Sequence, residues 1–333
     1  MVKAVFQAMC GCGHLLAEEA EVTRRIQEEM ATLSPSEDEP LTEPLGKEYV
    51  RLNLRRAMAE SIRAEWIARL MAASEAGAAH PDRAEVSRVI SSLSSDATGC
   101  SRNELARAAE PLLKDDSWLP SHSEAYRMAY KPAYRVIKRS LAPMLPVLSA
   151  LGGCWSKERL LVSIDGPCGS GKTTFASLLR PIVDAACVPM DHFFLPHGQK
   201  SEQRLAQPGG NADWERLLAE VLVPWQQGDE IAYRPYDCHR DKMLAPVHIP
   251  KQKVTMLEGS YSLLPPLSAY ADVRVFLTID EAEQQRRILA RNGEDGLCQF
   301  VTRWIPLERA YFEACSLPDE RCIVLSTSFD QTV

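Results

Sequence analysis

One stretch limits what this chain can fold into more than any other: Leu160 to Phe175, LLVSIDGPCGSGKTTF. Four apolar residues, Leu160, Leu161, Val162 and Ile164, stop at Asp165, and Gly166-Pro-Cys-Gly-Ser-Gly171-Lys172-Thr173 then fits G-x-x-x-x-G-K-[ST] at every position. Gly166, Gly169 and Gly171 allow a turn whose backbone N–H groups point inward, where phosphate oxygens accept hydrogen bonds. A helix expected from about Lys172 adds its positive end. The candidate nucleotide-binding set is therefore Gly166, Cys168, Gly169, Ser170, Gly171, Lys172, Thr173 and Thr174. Lys172 would reach the β and γ phosphates of ATP, and the Thr173 hydroxyl would hold Mg²⁺.

The residues that follow read as an α/β unit. Cys187-Val-Pro-Met190 is an apolar strand running into Asp191, expected beside the first strand with its acid at the carboxyl edge of the sheet. There Asp191 could accept or orient the proton of an acceptor hydroxyl. Lys253 to Leu257 gives another strand ending in Glu258, an acid expected near the metal through a bound water. Strands at 272–280 and 321–326, with helices at 172–180, 213–226, 281–292 and 300–315, complete a parallel sheet flanked by helices. Arg286, Arg287 and Arg291 lie on the third helix, before the polar Asn292-Gly-Glu-Asp-Gly296. Cations joined to a mobile loop could close over phosphates and neutralise charge there. The helix at 300–315 is expected to pack on the sheet through Trp304, Leu307, Tyr311 and Phe312 and carries no assigned chemistry.

The first half reads as an all-α domain, residues 1–150, before an α/β domain at 151–333; Pro143, Pro146, Gly152 and Gly153 mark the boundary. Leu54, Met58, Ile62, Trp66 and Leu70 fall four apart, which predicts one amphipathic helix from Tyr49 to Ala73. Ser101 and Glu104 have capping-box spacing. In HSEAYRMAYKPAYRVIKR, 122–139, Tyr126, Tyr130 and Tyr134 recur every four residues beside Arg127, Lys131, Arg135, Lys138 and Arg139. On a helix that makes an aromatic stripe next to a cationic one, interrupted by Pro132.

Composition narrows the function classes. Of 333 residues 45% are hydrophobic and 25% charged, which excludes a disordered chain, and no apolar run is long enough to span a membrane. The net charge is −7, with ten acids against four bases in the first fifty residues, which disfavours nucleic acid as a partner. Ten cysteines are scattered without a framework, a usage that fits a cytoplasmic protein with free thiols. Cys10-Gly-Cys12 has no second pair to complete a zinc site.

Over about 155–328 the motifs DGPCGSGKTT, MDHFF, GGNADWERL, YRPYDCHR, LEGSY and RRILAR together resemble the uridine kinase and phosphoribulokinase family of P-loop kinases. The resemblance implies ATP bound by the first motif, Asp191 as catalytic base, Glu258 near Mg²⁺, and lid arginines matching Arg286, Arg287 and Arg291 on the phosphates, with Lys172 and Arg287 assisting transfer. It also points to Asp213, Tyr236, His239 and Tyr261 around the acceptor. The expected activity is phosphorylation of a hydroxyl on a small molecule, foremost a nucleoside, with a vitamin precursor or sugar phosphate as alternatives and a homo-oligomer as a permitted assembly. A nucleotide sensor without turnover is the rival reading.

Overall fold

The computed structural model describes residues 1–78, 80–93, 99–114, 119–238 and 240–327. The chain forms two compact units, Met1–Gly152 and Gly153–Val333.

The first unit is rich in helices, but it is not all-α. Strands β1 (Thr42–Leu45), β2 (Tyr49–Asn53) and β3 (Tyr134–Lys138) form an antiparallel sheet in that order. This corrects the single helix expected over 49–73. Tyr49, Val50 and Leu52 are buried in β2, and the Asn53 side chain accepts the backbone N–H groups of Arg55 and Arg56, so a helix can begin only at Leu54. Helix α1 (Leu54–Ala59) then stops at Ser61, whose φ is +58°, and α2 (Ala64–Glu75) carries the buried Trp66, Ile67, Leu70 and Met71. The four-residue spacing runs across two helices, with Leu54 and Met58 on α1, Ile62 in the connection and Trp66 and Leu70 on α2.

The tyrosine stripe divides in the same way. Helix α3 (Glu124–Tyr130), capped by Ser123, ends at left-handed Lys131, and β3 takes Tyr134. Pro132 has no N–H to continue the helix. The capping box at Ser101 and Glu104 is formed in full.

In the second unit a five-stranded parallel sheet has β4 (Leu160–Asp165) at its centre. Numbering β5 (Ala185–Pro189), β6 (Val254–Glu258), β7 (Val273–Thr278) and β8 (Cys322–Ser326), the order is β8-β7-β4-β6-β5. Every residue of β4 and of β6 is buried, as befits strands covered on both faces. The strand leading to Asp191 is therefore not beside β4: β6 lies between, with Glu258 opposite Ile164 on one side and Pro189 on the other. Pro189, which cannot donate to a ladder, suits the edge position of β5.

Helix α4 (Lys172–Val183) follows β4. Helix α5 (Glu281–Gln299) bends at Gly293, φ +71°, so the expected loop at 292–296 is a kink between two helical arms. A π turn, Phe300–Trp304, leads into α6 (Ile305–Ala314), with Pro306 in its first turn. Among the described residues no helix is long and apolar enough to cross a membrane.

Candidate active site

The phosphate loop is built outward from Asp165, the last residue of β4 and wholly buried. Its carboxylate accepts the N–H of Gly166 at 2.7 Å, the N–H of Leu263 at 3.0 Å and the Tyr311 hydroxyl at 2.8 Å. Burial pushes its pKa up to about 6, against the pull of Lys172 and of these hydrogen bonds. Gly166 has φ +140°, and a Cβ there would lie 2.3 Å from the Leu277 carbonyl oxygen of β7. No side chain fits between loop and strand. Gly171, φ +89°, sits just before the first turn of α4.

Lys172 Nζ donates to the carbonyls of Gly166 and Pro167 at 2.6 and 2.9 Å, folding its charge over the loop. The Thr173 hydroxyl donates to Glu258, 3.2 Å from Oε2. Burial and then the neighbouring Asp191 charge push the Glu258 pKa up, opposed by Thr173 and Lys172. Asp191 stands exposed in the 3-10 turn Met190–Phe193 that follows β5. Lys172, Thr173, Glu258 and Asp191 are thus brought together at the carboxyl edge of the sheet, where open α/β sheets bind ligands. Thr174 is exposed in the same helical turn.

A network holds the loop from outside. Buried Glu308 of α6 accepts the Cys168 N–H at 2.8 Å and the Ser260 hydroxyl at 2.6 Å. Gln284 Nε2 donates to the Cys168 carbonyl at 2.8 Å. Arg287 donates to the carbonyls of Gly169, 3.3 Å, and Thr327, 2.7 Å, and the Thr327 hydroxyl to that of Ser170, 2.7 Å. Of the three arginines expected on the phosphates, Arg287 alone is bonded to the loop. Arg286 pairs with Glu283, and Arg291 with Asn292, its guanidinium 5.6 Å from the Phe300 ring centre. Sequence reasoning missed Glu308, Gln284 and Thr327. Their signal is faint: a lone acid in the otherwise packing stretch RWIPLERAYF.

The residues expected around an acceptor are less concentrated. Asp213 caps the helix beginning at Trp214 and pairs with Arg216 at 3.2 Å; Arg216 in turn donates to the His192 carbonyl at 2.7 Å. Tyr236 is buried, its hydroxyl 2.5 Å from Asp241. Tyr261 is corrected outright: it is 3% exposed, and its ring centre lies 5.0 Å from that of Tyr311, in the core beneath the loop. His239 lies outside the described residues.

The site fits a nucleoside triphosphate with Mg²⁺. The buried Ser170 hydroxyl has no partner, and the loop offers N–H donors and a lysine. Thr173 and Glu258 supply hard oxygen donors. Among the described residues no three His, Cys, Asp or Glu side chains gather into a metal cage. Two surface clefts of about 580 and 370 Å³ lie elsewhere, around Arg159 and Trp225 at the amino ends of β4 and β6, the length of a strand away.

A parallel sheet with this loop between β4 and α4 defines the P-loop type of α/β fold. No family model matches the sequence, and no curated protein matches it. Solved structures do. One described as a fructose transport system kinase from Silicibacter sp. TM1040 is 25% identical, with a TM-score of 0.42 over 50% of this chain and 90% of its own. One described as a uridine kinase from Bacillus stearothermophilus is 18% identical, with a TM-score of 0.41 over 51% and 89%. One described as a P-loop containing kinase with a circular permutation, from Saccharomyces cerevisiae, is 12% identical, with a TM-score of 0.42 over 55% and 98%. The likeness to uridine kinase-like and other P-loop kinases thus spans about half of the chain.

Proposed function

We propose that the second unit is an ATP- and Mg²⁺-dependent phosphotransferase that moves the γ phosphoryl group to a hydroxyl of a small molecule, foremost a nucleoside. The observation that carries this reading is the meeting of Lys172, the Thr173–Glu258 pair and exposed Asp191 at one sheet edge. When bound, the metal neutralises charge on the phosphates and holds their geometry. The chain's own residues do the rest. Lys172 leaves the carbonyls of Gly166 and Pro167 for phosphate oxygens. Thr173 and Glu258 supply oxygen to the metal. Asp191 takes or orients the hydroxyl proton, and Arg287, held on the loop, stabilises developing negative charge. Positioning and electrostatics suffice, and no covalent intermediate on the protein is needed.

A phosphate-bearing acceptor, such as a sugar phosphate, is favoured by one observation. Lys200 Nζ and Arg303 Cζ lie 5.7 and 4.7 Å from the Trp304 ring centre. Lys200 and Asp191 both act electrostatically on Cys238. An anion seated between two cations there would place a neighbouring hydroxyl near Asp191. Incubation of the purified chain with ATP, Mg²⁺ and a panel of nucleosides, pentose phosphates and vitamin precursors tests both readings. Transfer to one class names the acceptor. If every acceptor gives only the background ATP loss of Lys172→Ala, the kinase assignment falls.

A further inference from the structure

The aromatic and basic stretch of the first unit survives its division between α3 and β3 as a three-dimensional cluster. The His122 ring stacks on Tyr126 with centres 4.5 Å apart and planes 16° from parallel, and Tyr126 meets Tyr130 at 4.8 Å. His122 Nε2 and the Tyr134 hydroxyl are 2.8 Å apart, and that hydroxyl donates to Gln7 at 3.0 Å. The Arg51 guanidinium lies 4.8 Å from the Tyr134 ring centre, with its buried Nε unpartnered. Tyr130 is 72% exposed at the open end of the stack.

Cations gather at this cluster, with Glu43 directly opposite Arg51 across the β1–β2 pair and Glu29 paired with Arg135. Burial, then Arg127, Arg135 and Arg51, hold Lys3 below the usual ammonium range, with Glu29, which pairs with Arg135 at 2.6 Å, acting the other way. Burial, then Lys3, Arg51, the N-terminus and Arg127, push the His122 pKa down to about 4. Like charges gathered beside a half-buried guanidinium are unfavourable by themselves and become favourable when an anion sits among them. The exposed ring adds a face on which a planar group can stack.

We propose that this cluster binds a small nucleotide, with its base on the open face of Tyr130 and its phosphate held by Lys3, Arg51 and Arg127. The site is built wholly from the first unit and needs no turnover at the phosphate loop. A free nucleotide is favoured over a nucleic-acid strand because the chain carries a net charge of −7 and the first fifty residues are acidic.

The test uses the full chain carrying Lys172→Ala, so that the phosphate loop competes less for ligand, and follows the His122 ring by NMR, assigned through its loss in His122→Gln. Titration with AMP should move that resonance and raise the pH at which it titrates. Arg51→Gln and Arg127→Gln should each weaken AMP and inorganic pyrophosphate about tenfold. Tyr130→Ala, at an exposed position that leaves folding intact, should weaken AMP about tenfold and pyrophosphate hardly at all. The proposal is overturned if AMP leaves His122 unmoved, or if affinity is unchanged in the arginine variants or in Tyr130→Ala. It is equally overturned if poly(U) binds far more tightly than AMP per nucleotide, with affinity growing with strand length, since the site would then belong to nucleic acid.

Discussion

Glu308→Ala offers the sharpest probe of how the phosphate loop keeps its shape. The wild-type carboxylate accepts the Cys168 N–H and the Ser260 hydroxyl, and all of this is buried. Alanine leaves the Cys168 N–H with no acceptor, at a cost of about 1–3 kcal/mol, and strands the Ser260 hydroxyl as well. A combined loss of about 3 kcal/mol, in a unit of this size, lowers the melting temperature by about 6–12 °C. Glu308→Gln is the informative partner. Its amide oxygen can still accept from Cys168 while its NH₂ group donates to Ser260, so the loss should be about 1 kcal/mol. Calorimetry of the full chain reads the stability, and residue-resolved hydrogen exchange by NMR reads the Cys168 amide itself. Affinity for a non-hydrolysable ATP analogue should fall in step with the loss of protection. If Glu308→Ala melts with the parent and its Cys168 amide exchanges at the parental rate, the bracing role is refuted.

Three further outcomes follow from the same geometry. Gly166→Ala drives a methyl group against the Leu277 carbonyl at a positive φ and should cost more than about 2 kcal/mol together with nucleotide binding, read by thermal melting and calorimetric titration. Asp191→Asn should lower kcat about 10²–10⁴-fold with little change in KM for ATP, measured with whichever acceptor turns over; parental kcat would remove Asp191 from the chemistry. Asp165 has a folded pKa of about 6 against an ordinary 3.8, so the native state holds its proton more tightly than the unfolded chain. Its contribution is therefore full below about pH 4 and is lost as the pH rises through 6, by at most about 3 kcal/mol. Urea unfolding across that window should show a steeper fall for the parent than for Asp165→Asn, and identical slopes would contradict it.

How much of this could be read from the residues depended on the range of the interactions. The stretch from Leu160 to Thr173 states its own structure, because strand, turn and helix are fixed by neighbours along the chain. So does the Ser101–Glu104 cap. Strand order was different: two apolar strands, each ending in an acid, look alike in one dimension, and only burial of β6 on both sides puts Glu258 next to the loop and Asp191 one strand further out. In the first unit Leu54 and Met58 kept helical spacing, yet pairing of β2 with β1 and β3 claimed Tyr49 to Asn53. Tyr261 was misread because a tyrosine after Glu-Gly-Ser can face a ligand or the core with equal ease. Its contact with Tyr311, fifty residues on in the chain, decides for the core.

The loop's supports come from far downstream. Glu308 stands 140 positions after Cys168, and Thr327 stands 157 after Ser170. A nascent chain that has emerged only as far as β7 therefore carries the whole glycine signature without the bonds that keep it taut. A truncation just short of β8 would keep the glycine motif and Glu308 but remove Thr327, which bonds both Ser170 and Arg287.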